Sequence, residues 1–430
     1  MINLQGVSIA KSLKKIFDGI CNKHNIKELI LKQTHFTRQY KLTYEAVVLK
    51  ILHSFHDSVD FNLATFFPKL KIPPITAGAF STARYKLKIE LFLGLNRQLN
   101  QLIETLPPKL WKGFRLIAGD GTTVNIPVSK SNIGHFGLFR DSANGGKTVM
   151  ANACMLYDVL SHFVLSASIA PFKKGEKTIM TQLINEGQLS NSIAIFDRGF
   201  SYLYFIKLLI NKNLHFCIRL KIGASLIADR ILDTQSNDFI LEWMPSEAER
   251  ATCRKKGLDI DPIRVRATKI TLPGGEVEVL ISSLLDMEKF SFDDINELYQ
   301  LRWMVEEGYK KLKPKMKLEQ FGCKKQEGVY QEFYSHIFMM NLTTLIGNQA
   351  QESIAIKTKG RKYAYKYNWV NAYKFVKYSF VDLFQSVDIE MVIGKIIAQI
   401  EKSIVAIVPN RSFARQTQSI KKHRFSPMYK

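Results

Sequence analysis

The spacing of hydrophobic residues changes along the chain and predicts different kinds of structure. Apolar residues recur three and four positions apart in residues 43–55 and 86–103, which predicts amphipathic helices. From about residue 112 short apolar runs such as FRLIAGDG and NSIAIFDRG end at turn residues, and helical stretches such as TIMTQLINEG lie between them. Strands followed by helices indicate a mixed α/β core.

These changes predict five segments. Residues 1–105 are expected to form a helical domain, and residues 106–221 the first part of the core. Residues 222–290 contain strand-like runs and are expected to form a β-rich insertion. The core is expected to resume with a helix in residues 291–345, and residues 346–430 to form a basic helical C-terminal region.

Two prolines interrupt the N-terminal helical segment. After Pro73 and Pro74, Thr76 is a candidate cap for a new helix that would carry Arg84, Lys86 and Lys88. This pattern is compatible with a helix-turn-helix whose second helix is basic, and Arg84 is then a candidate DNA contact. An ordinary helical hairpin in a basic protein explains the pattern equally well.

The charge balance indicates a polyanionic partner. The 430 residues include 61 Lys and Arg against 38 Asp and Glu, a formal net charge of +23. Folding does not need that excess, which implies a polyanionic partner, and nucleic acid or an anionic membrane are the usual candidates. There is no run of about 18 apolar residues, and lysines interrupt the N-terminal stretch where a secretory signal would continue. We therefore expect a cytoplasmic, nucleoid-associated protein with no membrane partner.

Metal chemistry based on cysteine is not expected. The five cysteines are scattered and form no CxxC pair, which argues against zinc ribbons and disulfide frameworks. Two acidic residues are better candidates, because Asp120 and Asp197 each follow an apolar strand. Carboxylate oxygens at neighbouring strand ends suit hard divalent cations. For either residue alone, a turn-forming Asp next to Gly is the simpler explanation.

The stretch YQLRWMVEEGYKKLK, residues 299–313, supplies a third acid. On a continuous helix Tyr299, Arg302, Glu306 and Lys313 fall within an arc of roughly 60°. Such a stripe is suited to one wall of a site, with the glutamate on metal and the cations on phosphates. In isolation, a solvated face with an ion pair between Glu306 and Lys310 explains it equally well.

The sequence around these acids resembles the bacterial insertion-sequence transposases of the IS-four group. The similarity lies in the spacing Tyr-x2-Arg-x3-Glu-x6-Lys, in AGDGTTV and IFDRGF at the two aspartates, and in MLYDVLSHFVL between them. AFSTARYKL is similar to the N-terminal helical segment of that group. The resemblance implies an α/β fold, with an RNase H-like mixed-sheet catalytic core, a β-rich insertion, a helical N-terminal DNA-binding domain and a helical C-terminal region.

The resemblance also implies roles for individual residues. Asp120, Asp197 and Glu306 would be the catalytic acids and would hold two Mg2+ ions, with Mn2+ as an alternative ion. Tyr299, Arg302 and Lys313 would contact phosphates of the transposon end, although Pro314 disfavours a helix directly after the lysine.

Three further side chains are candidate DNA contacts by position. Trp303 accompanies the signature arginine and either stacks near an unstacked base or packs in the core at the base of the helix. Arg198 and Arg219 follow the catalytic strands and are either phosphate contacts or structural arginines.

The function implied is that of a DDE transposase. It would cleave double-stranded DNA at inverted-repeat transposon ends and transfer the 3′-OH into target DNA, working as a homodimer that brings two ends together. A nuclease without strand transfer and a non-catalytic, domesticated DNA-binding protein are the alternatives. The three acids argue against the second alternative, because a protein that only binds DNA does not need them.

Overall fold

The computed structural model describes residues 4–21, 23–38, 41–54, 57–142, 146–223 and 226–409. These residues form two compact units. Unit 1 contains the described residues of Met1–Pro107, Val124–Ala151 and Lys311–Lys430. Unit 2 contains those of Pro108–Thr123 and Asn152–Lys310. The five-segment division expected from the sequence is finer than this and stays a prediction.

The helices alternate with strands in the middle of the chain and cluster at both ends of it. In chain order they are α1 (Leu4–Cys21), α2 (Lys23–Leu29), α3 (Tyr44–Leu52), α4 (Val59–Phe66), α5 (Ala77–Arg84), α6 (Glu90–Glu104), α7 (Lys130–Phe136), α8 (Glu176–Glu186), α9 (Leu203–Asn211), α10 (Leu226–Asp233), α11 (Glu247–Lys255), α12 (Phe292–Gln300), α13 (Trp303–Lys310), α14 (Gln326–Lys357), α15 (Trp369–Tyr378), α16 (Phe380–Gln385) and α17 (Ile389–Glu401). No described helix is both long enough and apolar enough to cross a membrane.

The strands are mostly short. They are β1 (Arg115–Ile126), β2 (Arg140–Ser142), β3 (Gly146–Asp158), β4 (Val164–Pro171), β5 (Ser192–Phe196), β6 (His215–Arg219), β7 (Asp238–Trp243), β8 (Ile263–Thr271), β9 (Val277–Ser282), β10 (Ala364–Tyr367) and β11 (Ile404–Ile407). The described residues also form two 3-10 turns and one π-helical turn. The 3-10 turns are Phe67–Leu70 and Arg198–Phe200, and the π-helical turn is Lys311–Lys315.

Unit 2 is built on a mixed sheet. The strand order in this sheet is β2, β3, β1, β5, β6, β9, β8, β7, and β4 also pairs with β3. β1, β5 and β6 run parallel, whereas β9, β8 and β7 are antiparallel to their neighbours. This sheet confirms the mixed α/β class that the alternation of strands and helices predicted.

The two faces of this sheet are covered by different helices. Ile117 and Phe196 point into a hydrophobic core with residues of α8, α9 and α10. On the other face, α12 packs against β6 and β8. Because side chains alternate along a strand, Asp120 and Asp197 point away from the α8 and α9 face. Asp120 and Asp197 therefore point toward the opposite face of the sheet, against which α12 packs.

The strands of the expected β-rich insertion are present. β7, β8 and β9 form an antiparallel group, and β9 joins it to β6 of the main sheet. Two helices, α10 and α11, lie between these strands in the sequence. The segment therefore extends the core sheet and adds helices that the sequence pattern did not predict.

Unit 1 is predominantly helical. Its longest helix, α14, is buried along most of its length, and α3, α6, α15 and α17 pack against it. β10 and β11 form a separate antiparallel pair. The C-terminal region is thus helical with a small β element, as far as residue 409. Residues 410–430 lie outside the described part of the chain.

One prediction for the N-terminal segment is confirmed and another is wrong. Thr76 caps α5, because its Oγ1 accepts a hydrogen bond from the Ala79 backbone N–H at 3.2 Å. However, α5 ends at Arg84, so Lys86 and Lys88 lie beyond it and the helix is not the expected basic one.

Arg84 itself does not offer a DNA contact. Its side chain is fully buried and forms an ion pair with the buried Glu332, with 2.6 Å between Nη1 and Oε1. It also donates hydrogen bonds to the Gln331 side chain and the Gly322 and Gly328 carbonyls. A guanidinium that is fully buried and paired with a buried carboxylate is not accessible to a phosphate, which argues against the predicted role.

Candidate active site

Asp120 and Asp197 lie at the same level of two neighbouring strands. The parallel register pairs Ala118 with Ile195, and each aspartate follows two residues later. Neighbouring strands lie about 4.8 Å apart, which brings the two side chains side by side. Asp197 directly follows β5 as predicted, and its Oδ1 accepts a hydrogen bond from the Gly199 N–H at 2.8 Å.

Asp120 does not end its strand. The sequence GDG was interpreted as a turn, but β1 continues through it to Ile126. The two glycines instead allow close packing: a Cβ at position 119 would overlap the ring of Phe196, and one at position 121 would lie 2.6 Å from the Glu176 carboxyl carbon.

Glu176 is therefore a fourth acid, next to Gly121 and electrostatically coupled to Asp197, that sequence reasoning missed. It is the first residue of α8, and its carboxyl carbon occupies the space that any side chain larger than hydrogen at position 121 would need. The available signal was the GDG pattern, since a glycine inside a strand often marks a close approach of another group.

Glu306 lies on α13, which is shorter than expected. The sequence predicted one helix through residues 299–313, but α12 ends at Gln300 and α13 begins at Trp303 after a two-residue turn. Neither proline nor glycine marks this break. The Arg302 Nη2 donates to Glu306 Oε1 at 3.1 Å. Lys310, the partner of Glu306 in the alternative of a solvated face, instead pairs with Glu307 at 2.6 Å.

Tyr309 attaches the glutamate helix to the strand of Asp120. Its buried hydroxyl lies 2.8 Å from the backbone carbonyl oxygen of Asp120 and 3.2 Å from that of Ala153 on β3. The preceding Gly308 leaves room for Met155 and Tyr157. Because Tyr309 is three residues after Glu306, it fixes the helix turn that carries the acid. Sequence reasoning missed this residue, which lies inside the signature but is not part of it.

The carboxylates of the site interact electrostatically. The pKa of Asp120 is raised to about 7, chiefly by burial, with further raising by the charges of Asp197 and Glu306. The Gly121 N–H and the Arg302 guanidinium act in the opposite direction. Burial and the charge of Asp197 also raise the pKa of Glu176. The acids thus form one cluster whose mutual repulsion a positive charge would relieve.

The donor chemistry of this cluster fits a divalent cation, because carboxylate oxygens are the ligands that Mg2+ and Mn2+ prefer. Within the described residues, however, no group of three His, Cys, Asp or Glu side chains is already arranged to hold a metal ion. Arg302, Gly121 and Gly199 each donate a hydrogen bond to a carboxylate oxygen, of Glu306, Asp120 and Asp197, respectively.

Arg302 lies between two aromatic rings. Its guanidinium carbon is 5.8 Å from the Tyr299 ring centroid and 5.2 Å from that of Trp303. Its Nε is buried and has no hydrogen-bond partner. Tyr299 is buried, whereas Trp303 is 46% exposed, which rules out the alternative of a core tryptophan. The arginine therefore has a free donor beside the acids, next to an accessible indole.

The remaining candidates differ in their surroundings. Arg198 is exposed next to Asp197. Arg219 forms an ion pair with Glu278 at 2.5 Å, which supports its structural alternative without excluding a phosphate contact. Lys313 belongs to unit 1 and lies in the π-helical turn that also contains Pro314. Its Nζ is 3.5 Å from Glu319 Oε1. The DNA contacts of all three stay predictions.

Comparison with known proteins identifies the family of this chain. The family model for the transposase DDE domain matches residues 111–342, more than half of the chain. The chain therefore belongs to the DDE transposase family, and the resemblance inferred from the sequence is confirmed.

Individual relatives are distant. The transposase InsG for insertion sequence element IS4 of Escherichia coli strain K12 is 24% identical over 275 residues, which are 63% of this chain and 61% of the relative. The chain thus matches less than two thirds of that relative's length. A piggyBac transposase chain from a synaptic complex with hairpin DNA gives a TM-score of 0.49 at 10% identity, covering 97% of this chain and 89% of that one. A TM-score below 0.5 is too low to assign the fold of this chain from that structure.

Proposed function

We propose that this protein is a DNA transposase that cleaves phosphodiester bonds at transposon ends and joins the resulting 3′-OH to target DNA. The observation that carries the proposal is the position of Asp120 and Asp197 at one level of parallel strands, with the Glu306 helix fixed to β1 by Tyr309. The finer fold assignment, an RNase H-like catalytic core, is part of the same proposal.

Asp120, Asp197 and Glu306 are proposed to hold two divalent cations, Mg2+ or Mn2+. Bound there, such ions supply positive charge for the attacking and leaving oxygens of phosphoryl transfer. The proposal is supported by the shared electrostatics of the three acids and by the raised pKa of Asp120, which shows that its charge is poorly compensated by the protein alone.

The protein's own cations are proposed to position the DNA. The Arg302 guanidinium lies beside two rings and bonds Glu306 through Nη2, and its planar fork has further Nη hydrogens for a phosphate oxygen, whereas its Nε is buried. The exposed Trp303 is proposed to stack on an unstacked base. Tyr299, Arg198, Arg219 and Lys313 are proposed as further phosphate contacts.

The proposed substrate is double-stranded DNA that carries inverted repeats, together with a target duplex. The relative of this chain is named as a transposase for an insertion sequence element, and the net charge of +23 suits a polyanion. A homodimer is proposed as the working form, because two DNA ends must be brought together. A cytoplasmic location associated with the nucleoid follows from this substrate.

The test is a joining assay with Mg2+, a supercoiled plasmid and a labelled duplex that carries the inverted repeat flanking the gene. Labelled plasmid is the expected product, and Asp197→Asn should abolish both cleavage and joining while leaving DNA binding intact. Cleavage without joined product would favour the alternative nuclease. Undiminished cleavage by Asp197→Asn would overturn the assignment of the acids.

A further inference from the structure

A row of cations and aromatic rings lies on unit 2 beside the second acid. The Lys177 Nζ is 3.5 Å from the ring centroid of Tyr202, and the Tyr202 and Tyr204 rings stack at 5.9 Å with 22° between their planes. On the far side, the Lys256 Nζ is 4.6 Å from the Tyr204 centroid. These four residues are called the lysine–tyrosine row below.

The row begins close to the acid cluster. Lys177 follows Glu176, whose carboxyl group lies against Gly121, and Tyr202 is five residues after Asp197. Lys177 lies on α8, Tyr202 directly precedes α9, Tyr204 lies in the first turn of α9, and Lys256 directly follows α11. α8 and α9 cover the sheet face opposite to the one that Asp120 and Asp197 point toward. The row therefore borders the acids on a different side from Arg302 and Trp303.

The lysines of the row carry charge that the protein does not neutralise. Among the described residues, neither Lys177 nor Lys256 forms an ion pair with a carboxylate. The pKa of Lys177 is lowered by burial and then by the nearby charge of Lys221, so a third cation lies near the row. An anion bound at this position would relieve the repulsion between Lys177 and Lys221.

The rings fix the ammonium groups in place. A cation over an aromatic face is stabilised by about 0.5–1 kcal/mol at an exposed site. Ammonium groups that are already ordered lose less side-chain entropy when they bind a phosphate. Phosphates of one strand recur about every 3.4 Å along the axis of a duplex. The lysine–tyrosine row contains two ring-to-cation contacts and one ring stack, so its length covers several phosphates.

We propose that the lysine–tyrosine row binds the phosphate backbone of DNA and forms a second DNA contact surface, separate from Tyr299, Arg302 and Trp303. The DNA is either the transposon end or the target duplex, since both present the same backbone. The proposal rests on the proposed function for its partner, DNA, but not for the chemistry at the acids.

The test measures DNA binding without metal, so its outcome does not depend on cleavage. Fluorescence anisotropy would follow two labelled duplexes over a series of NaCl concentrations, one with the flanking inverted repeat and one of arbitrary sequence. The variant Lys177→Gln/Lys256→Gln removes both cations of the row. The control Lys212→Gln/Lys289→Gln removes two exposed lysines of the same unit, one of which also lies over aromatic rings.

The row variant should bind about tenfold more weakly near 0.1 M salt, and its log–log salt slope should be shallower by about 1.8, since each lost phosphate contact removes about 0.9. The control should retain the slope of the unmodified protein. Weakened binding of the inverted-repeat duplex alone assigns the row to the transposon end, and weakened binding of both duplexes assigns it to DNA of any sequence, including the target.

Two results would overturn the proposal. One is a row variant that keeps the affinity and slope of the unmodified protein, and the other is a loss no larger than that of the control. Tyr202→Leu provides a second check, because it keeps every charge but releases Lys177. It should weaken binding about threefold without changing the melting temperature by more than a few degrees. If the unmodified protein binds DNA in this way but fails the joining assay, the proposed function fails and the row does not.

Discussion

The Tyr309 hydroxyl donates a hydrogen bond to the backbone carbonyl of Asp120 at 2.8 Å and so joins the helix of one acid to the strand of another. Tyr309 also reaches the Ala153 carbonyl on the next strand. The hydroxyl thereby holds Glu306 at a fixed height above β1 without itself being placed to touch substrate. It is a positioning residue.

Tyr309→Phe should lower catalytic activity more than stability. Loss of a buried hydrogen bond costs about 1 kcal/mol, or a few degrees in melting temperature. A shift of the Glu306 helix should reduce cleavage about tenfold and raise the Mg2+ concentration needed for half-maximal cleavage. Tyr378→Phe, in an exposed tyrosine of unit 1, is the control. Unchanged metal dependence would show that Tyr309 has only a structural role.

Gly121→Ala should displace Glu176, because the new methyl group would lie 2.6 Å from its carboxyl carbon. Because the Glu176 carboxyl group is the end of a flexible side chain that can move, the cost should lie at the low end of overpacking, about 1 kcal/mol. The double variant Gly121→Ala/Glu176→Ala should recover most of that loss, since it removes the group that the methyl meets. Urea unfolding measures both, with Gly274→Ala as the control at a position with open space. Additive losses in the double variant would argue against the contact.

Arg84→Met should destabilise unit 1 strongly. It leaves the carboxylate of Glu332 buried without its partner, which costs about 3–5 kcal/mol. Arg84→Met/Glu332→Leu should be less destabilised than the single variant, because no buried charge is left. Chemical denaturation followed by circular dichroism tests both. An Arg84→Met protein of normal stability but weak DNA affinity would restore the DNA contact inferred from sequence.

Lys377 should make stability depend on pH. The pKa of Lys377 is lowered from 10.5 to about 7 in the folded chain, chiefly by burial. The charge of Asp57 raises this pKa, whereas the charges of Lys317 and Lys69 lower it. Between these two values the unfolded chain binds a proton that the folded chain lacks, so this contribution to stability rises with pH from about 7 to about 10. Below pH 7 both states are charged, and folding carries the full cost of burial.

Lys377→Met removes that cost. It should stabilise the protein by a few kcal/mol at pH 7, on the order of what a shift of this size implies, and by less as the pH approaches 10. Melting temperatures at several pH values measure the difference, and Lys374→Met is a control on the exposed side of the same helix. A gain that is equal at both ends of the range would contradict the buried, neutral lysine.

Local patterns predicted the elements of unit 2 well. The apolar run before Asp197 is β5, and the helical period of TIMTQLINE is α8, because both signals arise from residues near one another in sequence. The three proposed acids were chosen in the same way, from local patterns. Asp120 lies in β1, Asp197 directly follows β5, and Glu306 lies on α13.

The errors arose where distant residues decide the structure. Arg84 is buried because Glu332, 248 positions away, neutralises it. The strand continues through Gly121, where Glu176, 55 positions away, occupies the space that a side chain would need. The break between α12 and α13 has no local marker at Leu301 or Arg302, so a continuous helix was the natural expectation. Spacing on one element cannot indicate partners on another.

The central claim is that Asp120, Asp197 and Glu306 bind divalent metal together. Binding of Mn2+ measured by electron paramagnetic resonance tests it without DNA or turnover. The account predicts that Asp120→Asn, Asp197→Asn and Glu306→Gln each weaken Mn2+ binding at least tenfold, while Asp233→Asn at the end of α10 leaves it unchanged. Equal Mn2+ binding by the three site variants and the unmodified protein would contradict it.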